Sequence, residues 1–427
     1  MRSPASCRGS CAGRFGKELA PLLALSVLAA TLGCRDDAGS PTEPAPTSSQ
    51  ANVSAATALA FWQVSGGGNH TCGVTTDNLA YCWGWNQFGQ LGDGTNTGPE
   101  RCTGAVGPFP CSTRPVLVAG GHSFRRMSAG YYHTCAVTTD SRAYCWGENG
   151  QGQLGDGTIS QRLAPVAVAG GHQFRLVEAG SGFTCGVTTD NRAYCWGSNQ
   201  HGQLGDGTLT ARPRPVLVLG GLQFSQVSAG QDHSCGVTAA NRAYCWGSNQ
   251  YGQVGDSTEA VRRLKPSRVA RSHQFRQVDA GAYHSCAVTT TERAFCWGSG
   301  REGQLGNGKT YLSFWPRAVA GGLYFQRVSA GLFHTCGETT DDRAYCWGAN
   351  SFGQVGDGSQ NTTRLKPVAV AGGLIFSQVS VGSWHSCGKT SAGVAYCWGY
   401  DFFAALGDGN SGYGAVGLTP VPVLGPM

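Results

Sequence analysis

The tripeptide Cys-Trp-Gly occurs seven times, beginning at Cys82, Cys145, Cys195, Cys245, Cys296, Cys346 and Cys397. Successive intervals are 63, 50, 50, 51, 50 and 51 residues, a period of fifty with one insertion. Regular recurrence at this length marks a repeat architecture, in which no unit buries its apolar face alone. Each unit carries four short apolar segments. In the second they fall at 115–118, 124–129, 133–137 and 143–146, between turns rich in Gly, Thr and Asp. Four short strands per fifty residues is the content of one propeller blade. The 66 glycines and 13% charged residues suit many short strands joined by tight turns. Beyond residue 34 no apolar pattern has helical spacing, so the chain is expected to be all-β.

Strand bookkeeping predicts closure. The first unit, from Trp62, has only the last three segments, and the missing kind stands alone at the C-terminus as Pro420-Val421-Pro422-Val423. Seven copies of each segment give a closed seven-bladed β-propeller over residues 59–427, with the C-terminal strand completing the first blade. An open stack would leave unpaired sheet edges at both ends.

Nineteen cysteines accompany the repeat. Fourteen pair at a spacing of ten: Cys72 with Cys82, Cys135 with Cys145, Cys185 with Cys195, Cys235 with Cys245, Cys286 with Cys296, Cys336 with Cys346, and Cys387 with Cys397. In a hairpin centred on Asp77, Cys72 falls opposite Cys82, and a non-hydrogen-bonded antiparallel pair brings Cα atoms to roughly 4.5 Å, within disulfide reach. Alternation puts Cys72, Val74, Ala80 and Cys82 on one face, with Tyr81 and Trp83 on the other. Zinc would need shorter spacings and converging ligands, and seven pairs around a ring cannot converge. Eight disulfides are expected, the eighth between Cys102 and Cys111 in the insertion, each worth about 2–3 kcal/mol in the chain-entropy model. Such a framework belongs to an oxidising compartment. No metal or cofactor is expected.

Residues 1–33 read as an export signal. Arg2, Arg8, Arg14 and Lys17 precede an apolar run at 22–32 that is too short to span a bilayer, followed by Gly33-Cys34. Thr31-Leu32-Gly33-Cys34 resembles the bacterial lipoprotein box, with its leucine one place later than usual. Cys34 is therefore the candidate lipidation site, and residues 34–58, rich in Pro, Ser, Thr and Ala, are expected to be anchor and flexible tether. The expected location is the bacterial cell envelope, lipid-anchored, with simple secretion as the alternative. Residues 1–33 carry four positive charges and one negative, so the formal net charge of +6 falls to +3 without them. With no block of Lys or Arg, the mature chain lacks the electrostatic footprint of a nucleic-acid binder.

The recurring pattern Val-Ser-Ala-Gly-x-x-His-Thr, then Tyr-Cys-Trp-Gly-x-Asn-x-x-Gly-Gln-Leu-Gly-Asp-Gly, with copies at 177–207 and 227–256, resembles the regulator of chromosome condensation repeats. The resemblance covers residues 59–427 and implies a seven-bladed propeller, in agreement with the strand count. Two cysteines in every repeat depart from what a nuclear or cytosolic member would carry. The eponymous activity, guanine-nucleotide exchange on a small nuclear GTPase with chromatin binding, is an alternative that the export signal, the disulfides and the modest charge oppose. The family's plant photoreceptor uses a tryptophan cluster before the repeat histidine, where this chain has only Trp384. Exported members that inhibit β-lactamase imply that such a ring can serve as a protein ligand, and no residue-level match transfers that target.

Each candidate site also admits a purely structural role. The repeat histidines His70, His133, His233, His284, His334 and His385 recur at one blade position, with Phe183 in the seventh slot, which favours packing and hydrogen bonding. The Gly-Asp-Gly turns lack the alternating acidic ligands of a calcium loop. No nucleophile elbow, zinc-protease helix or isolated acidic pair nominates a catalytic residue. A propeller-based polysaccharide-active enzyme, a further alternative, needs carboxylates in the central mouth that the sequence does not reveal. The variable pair preceding each repeat histidine would display Tyr131, Tyr132, Tyr283, Phe333 and Trp384 on one face, for contact or merely for packing between blades. The insertion at 96–112 and the irregular last unit, 400–404 and 410–417, are the other candidates. The sequence thus points to a non-catalytic, extracytoplasmic, monomeric ring that binds a protein or an extracellular polymer.

Overall fold

A computed structural model describes residues 59–104, 107–270 and 273–426. The export segment, Cys34 and the tether lie outside the described residues. All regular elements described are strands, 29 in number, and they form seven antiparallel sheets. No described helix is long and apolar enough to cross a membrane.

The sheets follow from alternation and from one glycine. In blade two the strand His133–Thr138 is buried along its whole length and pairs with Ala143–Gly147 in the register Cys135↔Cys145, Ala136↔Tyr144 and Thr134↔Trp146. The same opposition recurs in every blade, so each i, i+10 cysteine pair is a disulfide with Cα atoms 4.0–4.1 Å apart. The glycine of Cys-Trp-Gly then adopts φ between +101° and +107° in all seven copies, a conformation that side chains disfavour. It makes a bulge that turns the chain out of the third strand.

After that bulge the chain loops back to pair with the strand it has just left. The hydrogen-bonded blade is therefore out of phase with the sequence unit by one strand. Blade two runs Phe124–Ala129, His133–Thr138, Ala143–Gly147 and then Arg162–Ala167, the opening segment of the next repeat. Blade one is built of Phe61–Gly66, His70–Thr75, Ala80–Trp85 and Gly107–Leu117, with the extra strand Glu100–Gly104 at its edge. The C-terminal strand Val416–Pro422 supplies the seventh outer strand that the count demands. It pairs locally with Ala395–Tyr400, Cys397 opposite Val421, so the blade it completes is the seventh, which abuts the first.

Closure comes instead from the axis. Gly67, Gly130, Gly180, Gly230, Gly281, Gly331 and Gly382 end the innermost strands, and a Cβ on any of them would lie 2.3–2.6 Å from the carbonyl oxygen of the next in the series. In six of the seven copies the residue after the glycine donates to that same carbonyl, as from Tyr131 to Gly180 (3.1 Å). Ser383 to Gly67 (3.0 Å) joins the seventh blade to the first. A second ring of bonds lies outside this belt. His70 Nε2 meets Thr134 Oγ1 (2.8 Å), Thr134 donates to the Gln90 carbonyl (2.9 Å), and the Trp146 indole donates to that carbonyl too (3.0 Å). Because the threonine proton is committed to Gln90, the imidazole must carry its proton on Nε2. His385, Thr71, the Ala405 carbonyl and Trp83 repeat the relay across the closing seam.

Candidate functional site

On the face beyond the glycine belt, the variable residues form two zones. The first member of each pair, Tyr131 among them, lines a cavity of about 100 Å³ on the axis. The second members, Tyr132, Tyr283, Phe333 and Trp384, stand farther out, half-buried. Tyr283 stacks on Phe333 (5.6 Å between centroids), and Phe333 meets Trp384 (5.7 Å).

These contacts belong to a longer crescent. From Tyr283 it extends to Tyr251 (5.3 Å), and from Trp384 through Phe352 to Tyr400 (5.5 and 4.5 Å). Tyr400 stacks on Phe402, and Phe402 on Phe109 of the blade-one insertion (5.9 and 5.5 Å). Phe403 reaches Trp85 (5.5 Å), which meets Phe88 and Tyr132 (5.4 and 5.5 Å), and Tyr132 meets Tyr131 (4.5 Å). The crescent so joins all five predicted aromatics to both other predicted regions. Tyr251, Phe352, Trp85 and Phe88 were missed. They occupy two further variable columns, the residue after Cys-Trp-Gly and the residue before the Gly-Gln pair, where an aromatic tally would have found them.

The insertion is held for this role. Glu100–Gly104 pairs with the start of Gly107–Leu117, and Cys102 is bonded to Cys111 with Cα atoms 5.8 Å apart. That hairpin packs on Ala404 of the last blade, and Gly409 donates to the Thr113 carbonyl (3.1 Å). Glu100, Cys102 and Cys111 are the one group of potential metal ligands among the described residues, and the disulfide removes both thiolates.

The crescent leaves a polar gap over blades three and four, where His201 lies 3.9 Å from Asp232 and Gln231 donates to the Tyr283 hydroxyl (3.4 Å). Burial, reinforced by Tyr131 and Glu148, pushes the Tyr132 phenol up to about 12. Asp401, where five sibling repeats have Asn and one has Gly300, is pushed to about 8 by burial and by Asp408, while its bond from the Leu406 amide pulls the other way.

The axial channel holds two carboxyls that sequence reasoning did not place, Glu178 and Asp279. Five siblings have Ser at this position. Asp279 accepts from the Ala330 amide of the next blade (2.8 Å), the contact serine makes elsewhere, and each carboxyl accepts from the serine of the preceding blade, Glu178 from Ser128 (3.2 Å) and Asp279 from Ser228 (2.6 Å). The six repeat histidines are fully enclosed, and burial lowers their pKa values to about 3, or about 4 for His385. Neutral and bonded to the next blade, or replaced by Phe183, they are structural. What the face offers is therefore aromatic surface with a polar margin.

Comparison with known proteins agrees with this frame. The RCC1-like domain profile matches residues 112–425, and the regulator of chromosome condensation (RCC1) repeat matches 77–137 and 63–90. The ultraviolet-B receptor UVR8 of Arabidopsis thaliana is 33% identical over 103 residues, 23% of this chain and 20% of the receptor. The match thus spans about a fifth of that relative. Yeast RCC1 (Prp20) bound to Kap60 superposes with a TM-score of 0.70 at 21% identity, over 82% of this chain and 84% of that one. Prp20p of Saccharomyces cerevisiae, in a study of its binding to Gsp1p and histones, gives 0.69 at 22%, over 82% and 87%. With a profile that covers most of its length and seven repeats closed into a ring, this chain belongs to the RCC1-like domain family.

Proposed function

We propose that this protein is a non-catalytic, extracytoplasmic binding module whose aromatic crescent docks a protein partner. The observation that carries the reading is the crescent itself, half-buried rings from six blades in continuous stacked, tilted and edge-to-face contact and bordered by polar residues. Such a surface has the apolar centre and polar rim of a protein interface, and Tyr and Trp are over-represented among residues that dominate binding energy. Prp20, of the same fold, has been solved with a protein partner, Kap60, which supports a protein ligand over an extracellular polymer. Eight disulfides fit an oxidising, exported setting. Cys34 is the proposed lipid site, with residues 35–57 as the leash.

Two experiments test this. Fractionation of cells should find the wild type in membranes and Cys34→Ser in the soluble fraction with the fold intact. A soluble wild type with a different first residue contradicts the anchor. Capture on the oxidised mature ring should enrich one protein that Trp384→Ala fails to retain. Enrichment of a glycan instead would reassign the ligand class.

A further inference from the structure

Below the glycine belt, the early positions of the innermost strands line a second cavity, of about 1190 Å³. Its wall repeats with the blades, so departures are easy to see. At the third position of the strand, Gln63 clamps the next blade: its Nε2 donates to the Met127 carbonyl (2.8 Å) and its Oε1 accepts from the Met127 amide (3.1 Å). Gln226, Gln277 and Gln378 repeat the clamp on Val278, Val328 and Val64. Blades two and six have Arg126 and Arg327 in that place, both exposed to the cavity. Each gives up the glutamine clamp to put a guanidinium on the wall.

Arg126 does not stand alone. Arg125 and Arg175 each donate from Nη2 to the next blade's Phe carbonyl (2.9 and 2.8 Å), yet the Nε of both is buried without a partner. Burial and the proximity of Arg126 and Arg125 lower the pKa of Arg175, the mark of guanidiniums crowded together. Glu178 is the carboxyl beside them, and burial, with Asp279, pushes it up to about 8, so it stays largely protonated near neutrality and offers little compensation. Across the ring, Arg327 and Lys389 face the same space, with Glu338 as their neighbour. Arg276 is set apart, since Glu292 already pairs with it (3.7 Å).

We propose that this cavity binds a small multivalent oxyanion, gripped by Arg125, Arg126 and Arg175 on one wall and by Arg327 with Lys389 on the other. Guanidinium forks match the paired oxygens of phosphate and carboxylate, and a crowded cluster in a low-dielectric wall gains from an anion that relieves its self-repulsion. The volume lies just above the range of small-molecule sites, roughly 300–1000 Å³, and leaves room for a hydrated anion. The site is independent of the crescent.

The test is calorimetric titration of the oxidised ring at low ionic strength, with inorganic tripolyphosphate and with citrate as separate probes. Saturable single-site binding of at least one is expected, tripolyphosphate alone identifying phosphate and citrate alone carboxylate. Arg126→Gln with Arg175→Ser installs residues that sibling blades already carry, Gln63 and Ser225, and should weaken binding at least 10-fold. Melting temperature should hold or rise, since glutamine at that position can clamp Val177. Arg327→Gln should weaken binding from the opposite wall, while Trp384→Ala should leave it unchanged. No saturable binding of either probe, or equal affinity in the double variant, overturns the proposal.

Discussion

Seven copies of each position serve as internal controls for single residues. His233→Phe copies the natural Phe183 and loses one bond, to Ser285, whose proton stays with the Gln253 carbonyl. The expected loss is about 1 kcal/mol by denaturant unfolding. Gly230→Ala should cost more, about 2–3 kcal/mol, because its Cβ would sit 2.3 Å from the Gly281 carbonyl oxygen, which belongs to the belt. Equal effects would mean that the belt relaxes easily. The histidine role was legible in the sequence, since recurrence and a phenylalanine sibling argue against chemistry. The glycine role was not, because the atom that excludes a side chain comes from the next blade.

At the scale of elements, the insertion hairpin acts as a clasp between the first and last blades. Replacing Cys102 and Cys111 together by Ser should release it, costing about 2–3 kcal/mol in the chain-entropy model. Hydrogen exchange should quicken in Glu100–Gly104 and in the 402–404 turn while the other six blades keep their protection. Unchanged exchange there would mean that ring packing by Phe109 is sufficient. The disulfide register was readable because ten residues across a tight hairpin leave one opposition of the cysteines. The crescent was only half readable. Tyr132, Tyr283, Phe333 and Trp384 share one column, but Phe109 and Phe402 meet only because the ring brings its two ends together. The blade phase was misjudged for a related reason: segment counting cannot tell a strand that opens a unit from one that closes the previous sheet.

For the whole molecule, the buried histidines set the acid limb of stability. Their folded pKa values lie near 3–4, below the ordinary 6.5. The unfolded chain therefore takes up protons that the fold refuses, and stability falls as pH drops from about 6.5 towards 3, by up to about 1.4 kcal/mol per histidine per pH unit. Glu178 and Asp401 act in the opposite sense, since their folded values near 8 mean that stability is lost as pH rises from about 4 to 8. Melting temperature should therefore peak in the weakly acidic range and decline on both sides. A melting temperature that climbs steadily to pH 9 would contradict these environments.

The claim that the crescent is a contact surface is tested most directly by pairing two readings on one variant, Tyr283→Ala/Phe333→Ala/Trp384→Ala. Affinity for the captured, purified partner and the melting temperature of the oxidised ring are measured together. A loss of ~2 kcal/mol or more in binding is expected, with all eight disulfides intact and the cooperative melt retained. Unchanged affinity, or a loss of stability of roughly 3–5 kcal/mol per ring as for core truncations, would show that these aromatics only pack the blades together.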